Sequence, residues 1–227
     1  MIVRSKAPFR LGLAGGGTDV SPYSDEYGGA ILNATVNLYA HTTLIPRTDG
    51  KIILRATDLD KEFTLDTTNE LEINGELDLQ KGVYNRIVKA FTNKPLSFEL
   101  TTKMDVPSGS GLGTSSTLVV SILGAFIEWL QLDLTAYEIA RLAFSIERED
   151  LNMAGGKQDQ YAAVFGGINF LEFGANNDVI VHPLDISKAL VNELEVNLLL
   201  FYTKTSRESS KIILIQAENV QNCLLYT

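Results

Sequence analysis

The stretch Pro107-Ser108-Gly109-Ser110-Gly111-Leu112-Gly113-Thr114-Ser115-Ser116 constrains this chain more than any other. It sets three alternate glycines and a run of hydroxyls directly before an apolar, helix-like segment, Thr117 to Leu130. Glycine lets the backbone take positive φ and approach a ligand closely. The free N–H groups at a helix start, together with the positive end of the helix dipole, favour an anion such as a phosphate. Serine and threonine hydroxyls add donors and, in nucleotide sites, a ligand for Mg²⁺. The stretch therefore reads as a phosphate-binding loop. It is not a Walker A loop, because Gly113 is followed by Thr114 and Ser115 with no lysine. It is not the dinucleotide fingerprint either, since the spacing of Gly109, Gly111 and Gly113 is one residue short. A glycine-rich surface turn is the alternative, and turns rarely need so many glycines and hydroxyls together.

The 227 residues allow one large domain or two smaller ones. An apolar share of 45% with 21% charged residues is that of an ordinary globular protein. The net charge of -9 argues against nucleic acid or an anionic membrane as partner. It leaves a phosphorylated substrate open, because local basic residues and Mg²⁺ decide that. A single Cys223 excludes an intramolecular disulfide and fits a reducing compartment. Ile2-Val3-Arg4-Ser5-Lys6 runs straight into a strand-like segment without the pattern of a signal peptide, and no apolar run reaches the roughly 18 residues of a membrane span. A cytoplasmic protein is expected.

The early chain reads as strands over Ile2–Ser5, Ala30–Pro46, Lys51–Thr57 and Glu62–Leu65. Lys81–Phe91 reads as a helix, and Ser97–Thr102 alternates like a strand leading into the glycine loop. Thr135–Asp150 predicts a helix: Thr135 and Glu138 form a capping box, and Ile139, Leu142, Ala143 and Ile146 follow at helical spacing. Strands are expected at Gly167–Phe173, Val179–His182 and Val196–Thr203, with a last helix beginning near Ser206. Strand groups mixed with helices, without strict alternation, indicate an α+β fold.

Three further constellations bear on chemistry. In Ala7-Pro8-Phe9-Arg10 through Gly15-Gly16-Gly17-Thr18-Asp19, consecutive glycines follow an apolar strand, bracketed by Arg10 and Asp19. Arginine offers a fixed, charged fork for phosphate and aspartate can hold sugar hydroxyls, although a surface arginine and a turn aspartate would look the same. In Gly155-Gly156-Lys157-Gln158-Asp159-Gln160-Tyr161, two glycines set up a turn, and Asp159 falls at the start of a short helix where the dipole favours a carboxylate. An ordinary N-cap aspartate and a solvated Lys157 are the alternatives there. Glu147 shares a helix face with Ile139 and Ala143, where a carboxylate is costly to bury unless paired or metal-bound. Arg148, Glu149 and Asp150 read as a solvated helix end.

Taken together, these segments resemble the GHMP kinases, the family of galactokinase, homoserine kinase, mevalonate kinase and phosphomevalonate kinase, over most of the chain. Pro107–Ser116 looks like that family's Pro-x-x-x-Gly-Leu-Gly-Ser-Ser phosphate loop. Ala7–Asp19 looks like the N-terminal substrate motif of its sugar kinases, and Gly156–Gln160 like the segment carrying their catalytic aspartate. Within the family the chain is most similar to the bacterial D-glycero-D-manno-heptose 7-phosphate kinases, in Phe9-Arg10, Ala14–Val20, Tyr23–Gly29 and Gly155–Gln160. Galactokinases carry Glu-His where this chain has Gly16-Gly17, which argues for a different or bulkier sugar.

The resemblance implies an α+β GHMP kinase fold with a ribosomal protein S5 domain 2-like N-terminal lobe over residues 1–190. Residues 191–227 would start a second lobe that is truncated, since the family's C-terminal glycine-rich motif is missing. It implies ATP and Mg²⁺ as cofactors and a small-molecule sugar phosphate as substrate, D-glycero-D-manno-heptose 7-phosphate phosphorylated at its anomeric hydroxyl to the 1,7-bisphosphate. Pro107, Gly109, Ser110, Gly111, Leu112, Gly113, Thr114, Ser115 and Ser116 would hold ATP. Ser115 and Glu147 would hold Mg²⁺. Asp159 and Arg10 would be catalytic, and Gly16, Gly17, Thr18 and Asp19 would contact substrate. The alternatives are an inactive nucleotide- or sugar-binding remnant, and a kinase for fucose or galactose.

Overall fold

The computed structural model describes residues 1–199 together with Phe201 and Ile215. Its frame is a seven-stranded sheet built on one long strand. The β-branched and apolar residues between the Gly28-Gly29 pair and Pro46 form strand β2, Gly29–Pro46. Strand β1, Val3–Ala14, pairs antiparallel along one edge of β2, from Val3 opposite Leu44 to Ala14 opposite Leu32. On the other edge, the end of β2 pairs with β5, Phe98–Met104, and its beginning with β6, Ile168–Phe173. Strands β3, Lys51–Ala56, and β4, Lys61–Asp66, extend the sheet beyond β5, and β7, Val179–Pro183, extends it beyond β6. Among these pairs β3–β5 alone is parallel.

Helix α3, Thr114–Leu130, is apolar almost all round and accordingly buried against β1 and β2. Gly124 permits this approach, since a Cβ there would lie 2.5 Å from Ser5 Oγ. Phe126 meets Phe98 edge-on at 5.2 Å, and Tyr84 adds a third ring 5.5 Å from Phe98. All three are fully buried, and truncating such a phenylalanine to alanine ordinarily costs about 3–5 kcal/mol. Tyr84 comes from α2, Asp78–Ile87. Helix α4, Ala136–Ser145, opens on the capping box: Thr135 N–H donates to Glu138 Oε2 at 2.7 Å, and Glu138 N–H to Thr135 Oγ1 at 3.3 Å. Both α2 and α4 end by widening into π-helical turns, Val88–Thr92 and Ile146–Asp150. The fold is α+β, as expected.

Several boundaries differ from expectation. Strand β1 runs nine residues beyond Ser5, to Ala14, because β2 supplies an edge that holds even the Gly-Leu-Ala tract extended. Val196 and Asn197 do not begin a strand: they end α6, Lys188–Asn197, capped by Ser187. The expected boundary between 190 and 191 falls within that helix. A helix near Ser206, Cys223 and the tail from Val220 lie outside the described residues. Among the described residues no helix is long and apolar enough to cross a membrane.

Candidate active site

The sheet brings three loops to one place: the glycine-rich loop before α3, the Gly15–Ser21 loop after β1, and the 151–157 loop before α5, Gln158–Phe165. Between them lies a cavity of about 580 Å³. Gly109, Gly111 and Gly113 take φ of 76°, 78° and 73°, so the alternate glycines do supply the left-handed turns the loop requires. Gly113 occupies the N-cap of α3, and the first residues of that helix, Thr114, Ser115 and Ser116, line the cavity. The loop's glycines and α3's positive end therefore border the same space, which suits an anion. Pro107, Ser110 and Leu112 are not part of the lining. Pro107 is exposed, Ser110 Oγ is buried without a partner, and Leu112 packs against the core edge.

Arg10 ties this loop to Asp159. Its Nε donates to Asp159 Oδ1 at 2.6 Å, with Nη2 also 2.6 Å from that oxygen, and its Nη1 donates to Gly111 O at 2.9 Å. Asp159 lies in the first turn of α5, with Lys157 rather than an aspartate at the N-cap. A Cβ on Gly113 would stand 3.0 Å from the Asp159 carboxyl carbon, so loop and carboxylate are in contact.

Gly17 and Asp19 reach the cavity, whereas Gly16 and Thr18 are outside its lining. Thr18 Oγ1 instead sits 2.8 Å from Gly15 O and accepts from Ala30 N–H at 3.1 Å, closing the loop onto β2. Asp19 is 2% exposed and accepts the Gln158 N–H at 2.9 Å. Burial raises its carboxyl pKa; the Gln158 hydrogen bond opposes this and the charge of Asp159 adds to it. Gly156 is required beside it, because a Cβ there would fall 2.0 Å from Asp19 Oδ2.

Glu147, in the π turn after α4, is 1% exposed and lines the cavity. Burial raises its pKa, against the field of Arg148 and hydrogen bonds from Ser116 and Gln160. Gln160 Nε2 bridges Ser116 Oγ at 3.0 Å and Glu147 Oε2 at 2.5 Å. A buried carboxylate beside serine hydroxyls is an oxygen donor set that fits a hard divalent cation. Among the described residues no group of three or more His, Cys, Asp or Glu could hold a metal, so such an ion would take most of its ligands from a bound molecule and water.

Two expectations are corrected. Lys157 is 2% exposed, not solvated: its Nζ donates to Ser24 Oγ at 3.3 Å and lies 3.4 Å from Asp25 Oδ1, anchoring α1, Tyr23–Tyr27. Arg148 is not a solvated helix end: it lines the cavity and donates to backbone carbonyls of the 151–157 loop. The π turn is the reason, since it changes the rotation per residue just where a helical wheel would send Arg148 outward. The neighbouring Gly155-Gly156 pair was the available signal. Glu149 and Asp150 are exposed as expected, facing Arg86.

A second cavity, of about 340 Å³, lies behind the glycine loop and shares Ser115 and Met153 with the first. Apolar side chains including Leu59, Ile73, Leu77 and Leu118 line it.

Residues 78–167 match the family model described as the GHMP kinases N-terminal domain. The chain is 56% identical over 210 residues to the D-glycero-alpha-D-manno-heptose 7-phosphate kinase of Campylobacter jejuni, covering 92% of this chain and 62% of that protein. It is 29% identical to the L-fucokinase/L-fucose-1-P guanylyltransferase of Bacteroides fragilis, of which it covers 25%. The crystal structure of a D-glycero-D-manno-heptose 1-phosphate kinase from Bacteroides thetaiotaomicron superposes with a TM-score of 0.87 at 54% identity, covering all of this chain and 74% of that one.

Proposed function

The chain belongs to the GHMP kinase family, and on that premise we propose that its main cavity transfers the γ-phosphoryl group of ATP to a sugar phosphate. The acceptor is D-glycero-D-manno-heptose 7-phosphate, phosphorylated at its anomeric hydroxyl to the 1,7-bisphosphate. The observation that carries this reading is the Arg10 bridge, which holds a carboxylate, Asp159, against a glycine loop shaped for phosphate.

In this reading the amides of Gly109, Gly111, Gly113 and Thr114–Ser116 cradle the β- and γ-phosphates, and the second cavity takes the nucleoside beyond them. Arg10 occupies Asp159 Oδ1, leaving Oδ2 to orient the anomeric O–H. That hydroxyl oxygen forms the new bond to the γ-phosphorus, the bridging β–γ P–O bond breaks, ADP leaves, and the hydroxyl proton passes to Asp159. Asp19 accepts from other sugar hydroxyls. Glu147 and Ser115 would hold Mg²⁺, which neutralises charge developing on the phosphates. Because the chain spans 62% of its Campylobacter jejuni relative, turnover by these 227 residues is itself part of the proposal.

The test is incubation with ATP, Mg²⁺ and a panel of sugars and sugar phosphates, including galactose and fucose, read by ³¹P NMR. The expected result is a second phosphorus signal on the heptose 7-phosphate at its anomeric position. Transfer to free galactose or fucose but not to the phosphorylated heptose would overturn the substrate. Failure of every acceptor would overturn the activity.

A further inference from the structure

We propose that Arg148 is a positioning residue, a clamp whose guanidinium locks the loop between Glu147 and Asp159 and so fixes how those two carboxylates stand across the cavity. This rests on the reading of that cavity as a phosphoryl-transfer site. The loop begins tied to the π turn, with Met153 N–H donating to Glu147 O at 2.8 Å. Arg148 then gathers the rest: Nη1 lies 3.2 Å from Met153 O and 3.4 Å from Ala154 O, and Nη2 3.2 Å from Gly156 O. Among the described residues it makes no ion pair, so its fork is turned to backbone carbonyls rather than to an acid. The Phe144 ring stands 5.9 Å from Cζ.

The sequence of the loop is fitted to this fork. A Cβ on Gly155 would lie 2.2 Å from Arg148 Nη2, and one on Gly156 would lie 2.0 Å from Asp19 Oδ2. The two glycines thus bring the backbone against the guanidinium on one side and the Asp19 carboxylate on the other. Asp19 in turn accepts the Gln158 N–H, the first residue of α5. One continuous set of contacts runs from the Glu147 turn through Arg148, the loop and Asp19 to the helix that carries Asp159. A planar arginine can hold three carbonyls at fixed angles, which the single ammonium of a lysine does not reproduce.

Two variants test the clamp without relying on one fold-sensitive change. Arg148→Ala removes the fork. Gly155→Ala leaves it in place but pushes it off the carbonyls, since the atoms in the way are the free end of a long side chain. Each should raise amide hydrogen exchange across Leu151–Gln158 on the order of tenfold, without changing α4. Each should lower kcat by about 10²-fold, as expected for misplaced reacting groups, while the KM for ATP stays nearly constant. The double variant should be no worse than Arg148→Ala alone, because the methyl group added at Gly155 then has nothing to displace. Unchanged loop exchange in Arg148→Ala, or effects of the two substitutions that add in full, would overturn the clamp. A wild-type protein that transfers no phosphoryl group would contradict the kinase reading instead, and loop exchange alone would then decide whether Arg148 clamps.

Discussion

Asp19 shows how a residue's surroundings alter its chemistry. It is a buried carboxylate given one α5 N–H and set near a second carboxylate, and its pKa is raised above the ordinary 3.8 chiefly by burial. The folded protein therefore holds that proton more tightly than the unfolded chain. The stability this contributes is complete below the unfolded pKa and is lost as pH rises through the folded one. Asp19→Asn retains an oxygen for the Gln158 N–H and removes the titration. Thermal unfolding of both proteins should show the variant gaining on wild type as pH rises above the ordinary carboxylate value of 3.8; a constant gap would contradict the assignment. Arg10, Asp19, Glu147 and Asp159 were all legible as candidates, because each residue type stands beside a glycine turn or on an apolar helix face. Arg148 and Lys157 were not legible. A long cationic side chain gives no periodic signal, and the partners here are loop carbonyls for Arg148 and a hydroxyl and a carboxylate of α1 for Lys157.

Among the elements, those with strong local patterns were the easiest to read. The capping box at Thr135 and Glu138 fixed where α4 begins, and both of its hydrogen bonds are present. Thr135→Ala should cost about 1 kcal/mol, measured by urea denaturation. A loss near zero would mean that packing of α4 on α3 and α5, rather than the cap, defines its start. The end of α4 was harder to read, because nothing in Ile146-Glu147-Arg148-Glu149-Asp150 distinguishes a π turn from continued α-helix. Strand β1 outruns its sequence pattern for the opposite reason: Gly12-Leu13-Ala14 has weak strand propensity and is held by pairing with β2.

The whole molecule was legible as α+β but not as a topology. The sharing of β2 between β5 and β6, and the parallel β3–β5 pair, depend on long-range pairings that no local window contains. That topology is what makes one cavity of residues as distant as Arg10, Gly111 and Asp159. The net charge of -9 is no bar to the phosphate binding proposed there, because helix amides, Arg10 and a cation carried in with the ligand would govern the local potential.

In the proposed transfer Asp159 handles the acceptor hydroxyl while the glycine loop holds the nucleotide. Turnover and calorimetric Mg·ATP binding of Asp159→Asn against wild type, with D-glycero-D-manno-heptose 7-phosphate as acceptor, separate these two roles. The variant's kcat is expected to fall by about 10²–10⁴-fold with its nucleotide affinity largely intact. Near-wild-type turnover would contradict it, as would loss of nucleotide binding equal to the loss of rate.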